Sequence, residues 1–270
     1  RLSGLRALAV LGDASSVGML LDVACSASES MSKEALTSLR QISGKGVDAA
    51  LIKQTQTDDA QRLKAVITSL ASRRAASAMP RLLELASHES DDVRTAAYKA
   101  MGVVGSFEHV PAILSSLLQA DGADADVAAR TVVALCRQME DEDQRTAAIR
   151  SAFSAADTST KPVLVKILGK LAGLPALQMV TSEAVLRNGD LRDSAVRALA
   201  EWPDDAPLDA LLTLAESSEN PVHRVLALRG AVRMLGPISS HSNEHRLGTL
   251  KQLLACATSD DDRKTVISGL

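Results

Sequence analysis

Apolar residues return at intervals of three, four and seven along most of the chain, which places them on one face of an α-helix. Val93, Ala96, Ala97, Ala100, Met101 and Val104 form one such stripe. The same offsets recur from Ala128 (Thr131, Val132, Leu135, Cys136, Met139) and from Leu191 (Ser194, Ala195, Ala198, Leu199, Trp202). Polar Thr160 and Arg224 open two further copies, continued by Val163, Leu164, Ile167, Leu168 and Leu171 and by Ala227, Leu228, Ala231, Val232 and Leu235. The origins at 93, 128, 160, 191 and 224 are 35, 32, 31 and 33 residues apart. A step of that size marks a repeat architecture.

A second apolar helix lies between successive stripes: Pro80 to Ala86, Pro111 to Leu118 and Leu208 to Ala215. Proline is tolerated in a first helical turn, where its missing N–H would have no partner. Ser90-Asp91-Asp92, Asn188-Gly189-Asp190, Glu219-Asn220-Pro221 and Ser259-Asp260 supply side chains that cap free helical N–H groups, and Gly105, Gly173 and Gly236 follow helices as stops. No segment alternates as a strand bounded by hairpin turns. The pattern predicts an all-α chain of about eight helix pairs. Second helices fall near 31–43, 60–73, 91–104, 126–139, 159–172, 190–202 and 222–235. Ala7, Leu8 and Leu11 read as the tail of another, and Val266, Ile267 and Leu270 as the first turns of a last one. No polar capping helix closes either end, so we expect a solenoid over 1–270 that is incomplete at both ends and excised from a longer chain.

Composition fits that picture. One Trp, one Tyr and two Phe in 270 residues are too few for a conventional closed core built on rings. Ala, Leu, Val and Ile suit close helix–helix contacts along a thin, extended core. Thirty basic and thirty-three acidic residues give a net charge of −3, without the basic excess of a general nucleic-acid binder. The densest basic cluster is Arg62, Lys64, Arg73, Arg74 and Arg81, a run that solvent-facing helices commonly carry. Cys25, Cys136 and Cys256 are far apart and sit in apolar helical stretches, as inert core thiols do. Val23-Ala24-Cys25 is not a lipoprotein box, because Asp22 interrupts the apolar run. No stretch is long and apolar enough to insert into a membrane.

Residues 77–105 resemble a HEAT repeat: Pro80, Leu82-Leu83, Asp92-Val93-Arg94, Ala96-Ala97, Ala100 and Gly105. The Asp-x-Arg opening recurs at Asp190, Arg192 and Ala195. The resemblance spans essentially the whole chain and is strongest over 77–139 and 174–236. It implies a right-handed α-α superhelix, an α-solenoid, whose second helices line a concave face that binds protein or peptide. It implies no chemistry. Residues 185–236, with Glu201-Trp202-Pro203 and Leu226-Ala227-Leu228-Arg229-Gly230, resemble HEAT tracts of large bacterial proteins, often exported and often joined to a sugar-active or lectin-like module. That narrower likeness implies flanking domains, a periplasmic or extracellular location, and an alternative role as accessory or spacer module of a carbohydrate-active enzyme.

No catalytic constellation assembles from the titratable residues of the sequence. His241 and His245 share an i, i+4 spacing, but Glu244 is misplaced for H-E-x-x-H, and Ser242 or Asn243 is better read as a helix cap. Deoxyhypusine hydroxylase, a HEAT-like enzyme, binds iron through repeated His-Glu pairs. Here only His88-Glu89 has that order, while Glu108-His109 and Glu244-His245 are reversed. Asp121, Asp124 and Asp126 around Gly122 lack EF-hand spacing, and Asp124 or Asp126 reads as a cap. No phosphate-binding loop, dinucleotide fingerprint or nucleophile elbow is present. HEAT-like DNA glycosylases would need a basic groove and aromatic residues to hold a base. We therefore expect a non-enzymatic protein with no catalytic residue, metal or cofactor, and no nucleic-acid partner.

Registering the stripes against one another leaves one pattern. Arg94, Lys161 and Arg192 follow the stripe origin by one residue, where they are placed to bond Asp or carbonyl groups between repeats. Lys99, Lys166 and Arg197 follow it by six and point away from the buried stripe. With Arg229 and Arg233 they form a basic ladder, broken by Ala134, on the face expected to be concave. The expected partner is an acidic protein or peptide segment. Trp202 lies in the stripe and is expected in the core.

Overall fold

The computed structural model describes residues 2–26, 28–119, 123–186, 189–236 and 239–269, with only the backbone of 123, 185 and 186. These residues form seventeen α-helices and three short 3-10 turns, with no strand among them. Asn188, Pro237, Ile238 and Leu270, which figure in the sequence reading, lie outside the described residues. The chain divides into two compact units, Arg1–Gln138 and Met139–Leu270.

The first unit runs α1 (Leu2–Leu11), α2 (Val17–Ser26), α3 (Glu29–Gln41), α4 (Val47–Lys53), α5 (Ala60–Ser72), α6 (Met79–Leu85), α7 (Asp91–Val104), α8 (Val110–Leu117) and α9 (Ala123–Cys136). Each even-numbered helix packs on the odd one that follows, and α1, α3, α5, α7 and α9 lie side by side in a row. The second unit runs α10 (Glu142–Ala155), α11 (Lys161–Leu171), α12 (Leu174–Leu186), α13 (Asp190–Ala200), α14 (Leu208–Ser217), α15 (Pro221–Met234), α16 (Asn243–Cys256) and α17 (Asp260–Ile267). It repeats the arrangement, with α11, α13, α15 and α17 as the row. The fold is therefore an α-solenoid of HEAT-like pairs, and α1 takes the row position expected for the tail of a second helix.

Local chemistry sets the boundaries. Pro80, Pro111, Pro162 and Pro221 stand in first turns. The side chains of Asp59, Asp141, Asn220, Ser242 and Ser259 accept N–H bonds as caps of α5, α10, α15, α16 and α17. Two boundaries differ from the sequence reading. α9 spans Ala123–Cys136 instead of 126–139, so Met139 lies outside the helix. The last helix begins at Asp260, where Ser259 and Asp262 form a reciprocal capping box, well before Val266.

Most stripe positions are buried, with Ala96, Val104, Val163 and Val232 among those half-buried, and each buried face is wider than one stripe. Tyr98, Val133, Val165 and Val196, all five residues after an origin, are buried as well. A row helix is covered by its neighbours in the row and also by its paired even helix. Tyr98 faces that second layer, and its hydroxyl lies 2.7 Å from Ser116 Oγ on α8. In α15 the buried set is His223, Ala227, Leu228, Gly230, Ala231 and Met234. Its origin is therefore His223, one residue before the Arg224 assigned from sequence. His223 is only 3% exposed, and its Nε2 is hydrogen-bonded to Asp193 Oδ1 on α13.

Helix ends are tied across the row by arginines. Arg73 Nη1, at the end of α5, donates to the Leu39, Arg40 and Ile42 carbonyls at the end of α3. Arg233 Nη2, in the last turn of α15, donates to the Ala200 and Trp202 carbonyls after α13. The separations of 33 and 31 residues are the same in both cases. The final carbonyls of a helix have no intrahelical donor, and a cation there also meets the negative end of the dipole. A second device recurs at helix starts. Arg94 reaches back to the His88 and Glu89 carbonyls, and Arg145 to those of Met139 and Glu140.

Two glycines are required by geometry. Gly230 lets α15 approach α13 so closely that an added Cβ would lie 2.8 Å from the Ala200 Cα. Gly173 has φ +89°, and a Cβ there would meet the Glu142 carboxylate. That carboxylate accepts the Leu174 N–H at 2.9 Å and so serves the start of α12 from α10.

Candidate functional site

The exposed edge of each row is the surface on which the sequence-derived basic residues fall. With the α15 origin at His223, Arg229 follows the origin by six residues. It then occupies the same position as Lys99 on α7, Lys166 on α11 and Arg197 on α13. All four are exposed. None of them makes a hydrogen bond or ion pair with another described residue. In the second unit Lys166, Arg197 and Arg229 stand in register on three helices packed side by side. Neighbouring packed helices are about 8–10 Å apart, so the three cations form a row with roughly that spacing. In the first unit the equivalent positions are Thr68, Lys99 and Ala134, so Lys99 is the one cation among them. Arg233 differs: its guanidinium serves the carbonyls after α13.

Four of the five residues of the basic cluster over 62–81 form local and long-range pairs, while Arg74 stands exposed after α5 with φ +54°. Arg62 Nη1 meets Asp22 Oδ1 at 2.6 Å, Lys64 Nζ meets Asp92 Oδ2 at 2.6 Å, and Arg73 Nε meets Asp48 Oδ1 at 2.5 Å. Arg81 Nη1 is 2.5 Å from Glu84 Oε2. The Lys64 hydrogen bond, reinforced by charge attraction, holds the Asp92 carboxyl below its ordinary range. Sequence reasoning missed these partners because most lie 25 to 40 residues away.

The residues expected to bond between repeats include one buried pair. Arg94 Nε donates to Asp124 Oδ2 at 2.6 Å, and Asp124 is 1% exposed. That bond, ahead of any other influence, raises the Arg94 pKa further. Asp124 lies within the first turn of α9 and ties it to α7, which corrects its reading as a cap. Asp121 and Gly122 lie outside the described residues. Lys161 sits over the Phe153 ring at 4.9 Å, and Arg192 is also engaged.

His241 and His245 stack with ring centroids 4.4 Å apart, and His241 Nε2 is 3.8 Å from Asp205 Oδ2. Asp205 accepts from the Ser240 N–H and hydroxyl, which lowers its pKa, the backbone bond contributing most. Among the described residues no group of three or more His, Cys, Asp or Glu is placed to hold a metal ion. Cys136 is buried, and burial pushes the Cys25 and Cys256 thiols above their ordinary pKa, which keeps them protonated. No described helix is long and apolar enough to cross a membrane. Trp202 is fully buried, as its place in the stripe predicts.

A hollow of about 420 Å³ lies between α5 and α7 on the same exposed edge of the first unit, lined by Lys64, Thr68, Ala71, Asp92, Ala96 and Lys99 among others.

The match to a protein-family model agrees with this architecture. The family model for HEAT repeats matches residues 50–136. No curated protein matches the chain. Among solved structures, human deoxyhypusine hydroxylase in complex with glycerol is 17% identical with a TM-score of 0.37, covering 97% of each chain. An engineered protein is 16% identical with a TM-score of 0.38, covering 99% of this chain and 83% of its own. HEAT repeats are in general protein-interaction scaffolds and not enzymes. Residues 50–136 are thus recognised as HEAT repeats, and the described helices on either side of them form HEAT-like pairs of the same α-solenoid class.

Proposed function

We propose that the chain is a non-enzymatic scaffold, one solenoid over 1–270, that binds an acidic protein or peptide segment along the edge of its row helices. The observation that carries this reading is the contrast between cations. Arg62, Lys64, Arg73, Arg81, Arg94 and Arg233 are committed to carboxylates or helix-end carbonyls. Lys99, Lys166, Arg197 and Arg229 are exposed at one repeating position and make no hydrogen bond or ion pair with a described residue, although Lys99 also attracts the Asp92 carboxylate, which is paired with Lys64. Row helices pack closely on one another, while α6 with α8 and α14 with α16 touch much less. Closer packing on one side supports the row as the inner, concave layer. Charges spaced by helix packing favour extended contact and fast, salt-sensitive association over a deep pocket.

Fluorescein-labelled poly-glutamate provides the test. The triple variant Lys166→Glu, Arg197→Glu, Arg229→Glu is expected to lose binding at 50 mM salt. A control of equal charge change on other surfaces, Lys45→Glu, Lys53→Glu, Lys251→Glu, is expected to retain most of it. Equal loss in both would show only a net-charge effect and would sink the assignment of the row.

A further inference from the structure

The hollow between α5 and α7 combines small apolar side chains with charged ones. Its apolar lining consists of small side chains from both helices, Ala71 on α5 and Ala96 and Ala100 on α7, together with the buried Ile67 and with Val103. The Lys64–Asp92 ion pair bridges the two helices at one end. At the other end Val103 is 52% exposed, an aliphatic side chain with no cover. Lys99 stands between these ends, one turn from Val103; it attracts the Asp92 carboxylate but makes no ion pair with it, because Asp92 is hydrogen-bonded to Lys64. The hollow therefore carries a net single positive charge beside an apolar trough. Its size lies within the range of about 300–1,000 Å³ typical of ligand-holding clefts. It contains no aromatic ring on which a base could stack.

We infer that this groove binds a short peptide segment presenting an aliphatic side chain and, two residues further along, a carboxylate. The inference rests on the scaffold reading above and names the partner chemistry for the first unit. Spacing supplies the motif. Lys99 and Val103 are four residues apart on a helix, about 6 Å along its axis. In an extended peptide, residues i and i+2 point to the same side about 7 Å apart. An aliphatic side chain seated against Val103, Ala100 and Ala71 therefore brings the second side chain over the Lys99 ammonium. The hydroxyls of Ser72 and Thr95 line the same groove, within reach of the peptide backbone.

The probe is an eight-residue Gly/Ser peptide carrying Leu-Ser-Glu at its centre, added to the methyl-labelled full chain and followed by NMR. The methyl signals of Ala71, Ala96, Ala100 and Val103 are expected to move and saturate. Replacing Leu by Ala, or Glu by Lys, in the peptide is expected to weaken binding about tenfold. The Lys99→Glu variant is expected to reject the Glu peptide and accept the Lys peptide, a reversal that lost folding does not produce. Saturating shifts confined to the α11, α13 and α15 edge would overturn the groove while leaving the scaffold reading intact. Shifts on the even-numbered helices alone would overturn both. No shift at millimolar peptide would overturn the groove, and the poly-glutamate comparison would then decide the scaffold reading separately.

Discussion

Single polar side chains hold this fold at points that hydrophobic periodicity does not reveal. Arg94 and Asp124 are the clearest case, since removing Arg94 leaves the Asp124 charge buried. Arg94→Ala strands the Asp124 carboxylate, and such losses cost about 3–5 kcal/mol for a fully buried pair. Arg94 keeps some solvent access, so about 2–4 kcal/mol is expected, read as a lowered denaturant midpoint with an unchanged slope. A loss below about 0.5 kcal/mol would show that the pair is effectively solvated. Asp205 makes a different prediction. Its folded pKa is lowered, mainly by the Ser240 N–H, with the hydroxyl and His241 adding to it. A depressed carboxyl contributes stability that is fully present above its unfolded value, about pH 4, and is lost as pH falls through the folded pKa. Asp205→Asn is therefore expected to flatten the loss of stability on the acid side of pH 4 relative to the parent. Parallel acid curves would refute the linkage.

At the scale of the element, the apolar stripe carried most of the information and its limits have physical causes. Helix type and repeat step were legible because each row helix must bury the same face against the same kind of neighbour. Tyr98, Val133, Val165 and Val196 were not, because a row helix is covered on a second flank by its paired helix. The α15 origin was displaced because His223, polar by type, is buried against Asp193 and begins the face. Of the candidate site, the exposed positions of Lys99, Lys166 and Arg197 were legible from the stripe alone. The pairing of Arg62, Lys64 and Arg73 was not, because sequence gives no view of acids on other helices. Arg229 and Arg233 separate the two roles within one helix. Arg233→Ala removes donors to two helix-end carbonyls and is expected to cost about 1 kcal/mol. Arg229→Ala is expected to stay within about 0.5 kcal/mol of the parent. Thermal denaturation of both variants checks the division, and equal losses would place Arg229 in the framework as well.

Across the molecule, the scarcity of rings distributes stability along the chain. Trp202 and Tyr98 are its two largest fully buried side chains, one in each unit, and most other core positions are aliphatic. A stack of this kind derives its stability from repeats and their nearest-neighbour interfaces, so a local lesion is felt most by adjoining repeats. The chain's single tryptophan makes this measurable, because its fluorescence reports the second unit alone while ellipticity reports every helix. Gly230→Ala forces a methyl against the Ala200 backbone beside Trp202, an overpacking worth about 1–3 kcal/mol. It is expected to move the fluorescence midpoint at least as far as the ellipticity midpoint. Arg94→Ala, in the first unit, is expected to do the reverse, shifting ellipticity while moving Trp202 emission less. Coincident shifts of both signals in both variants would mean that the chain unfolds as one cooperative block, and that its thin core couples repeats more tightly than contacts between neighbours require.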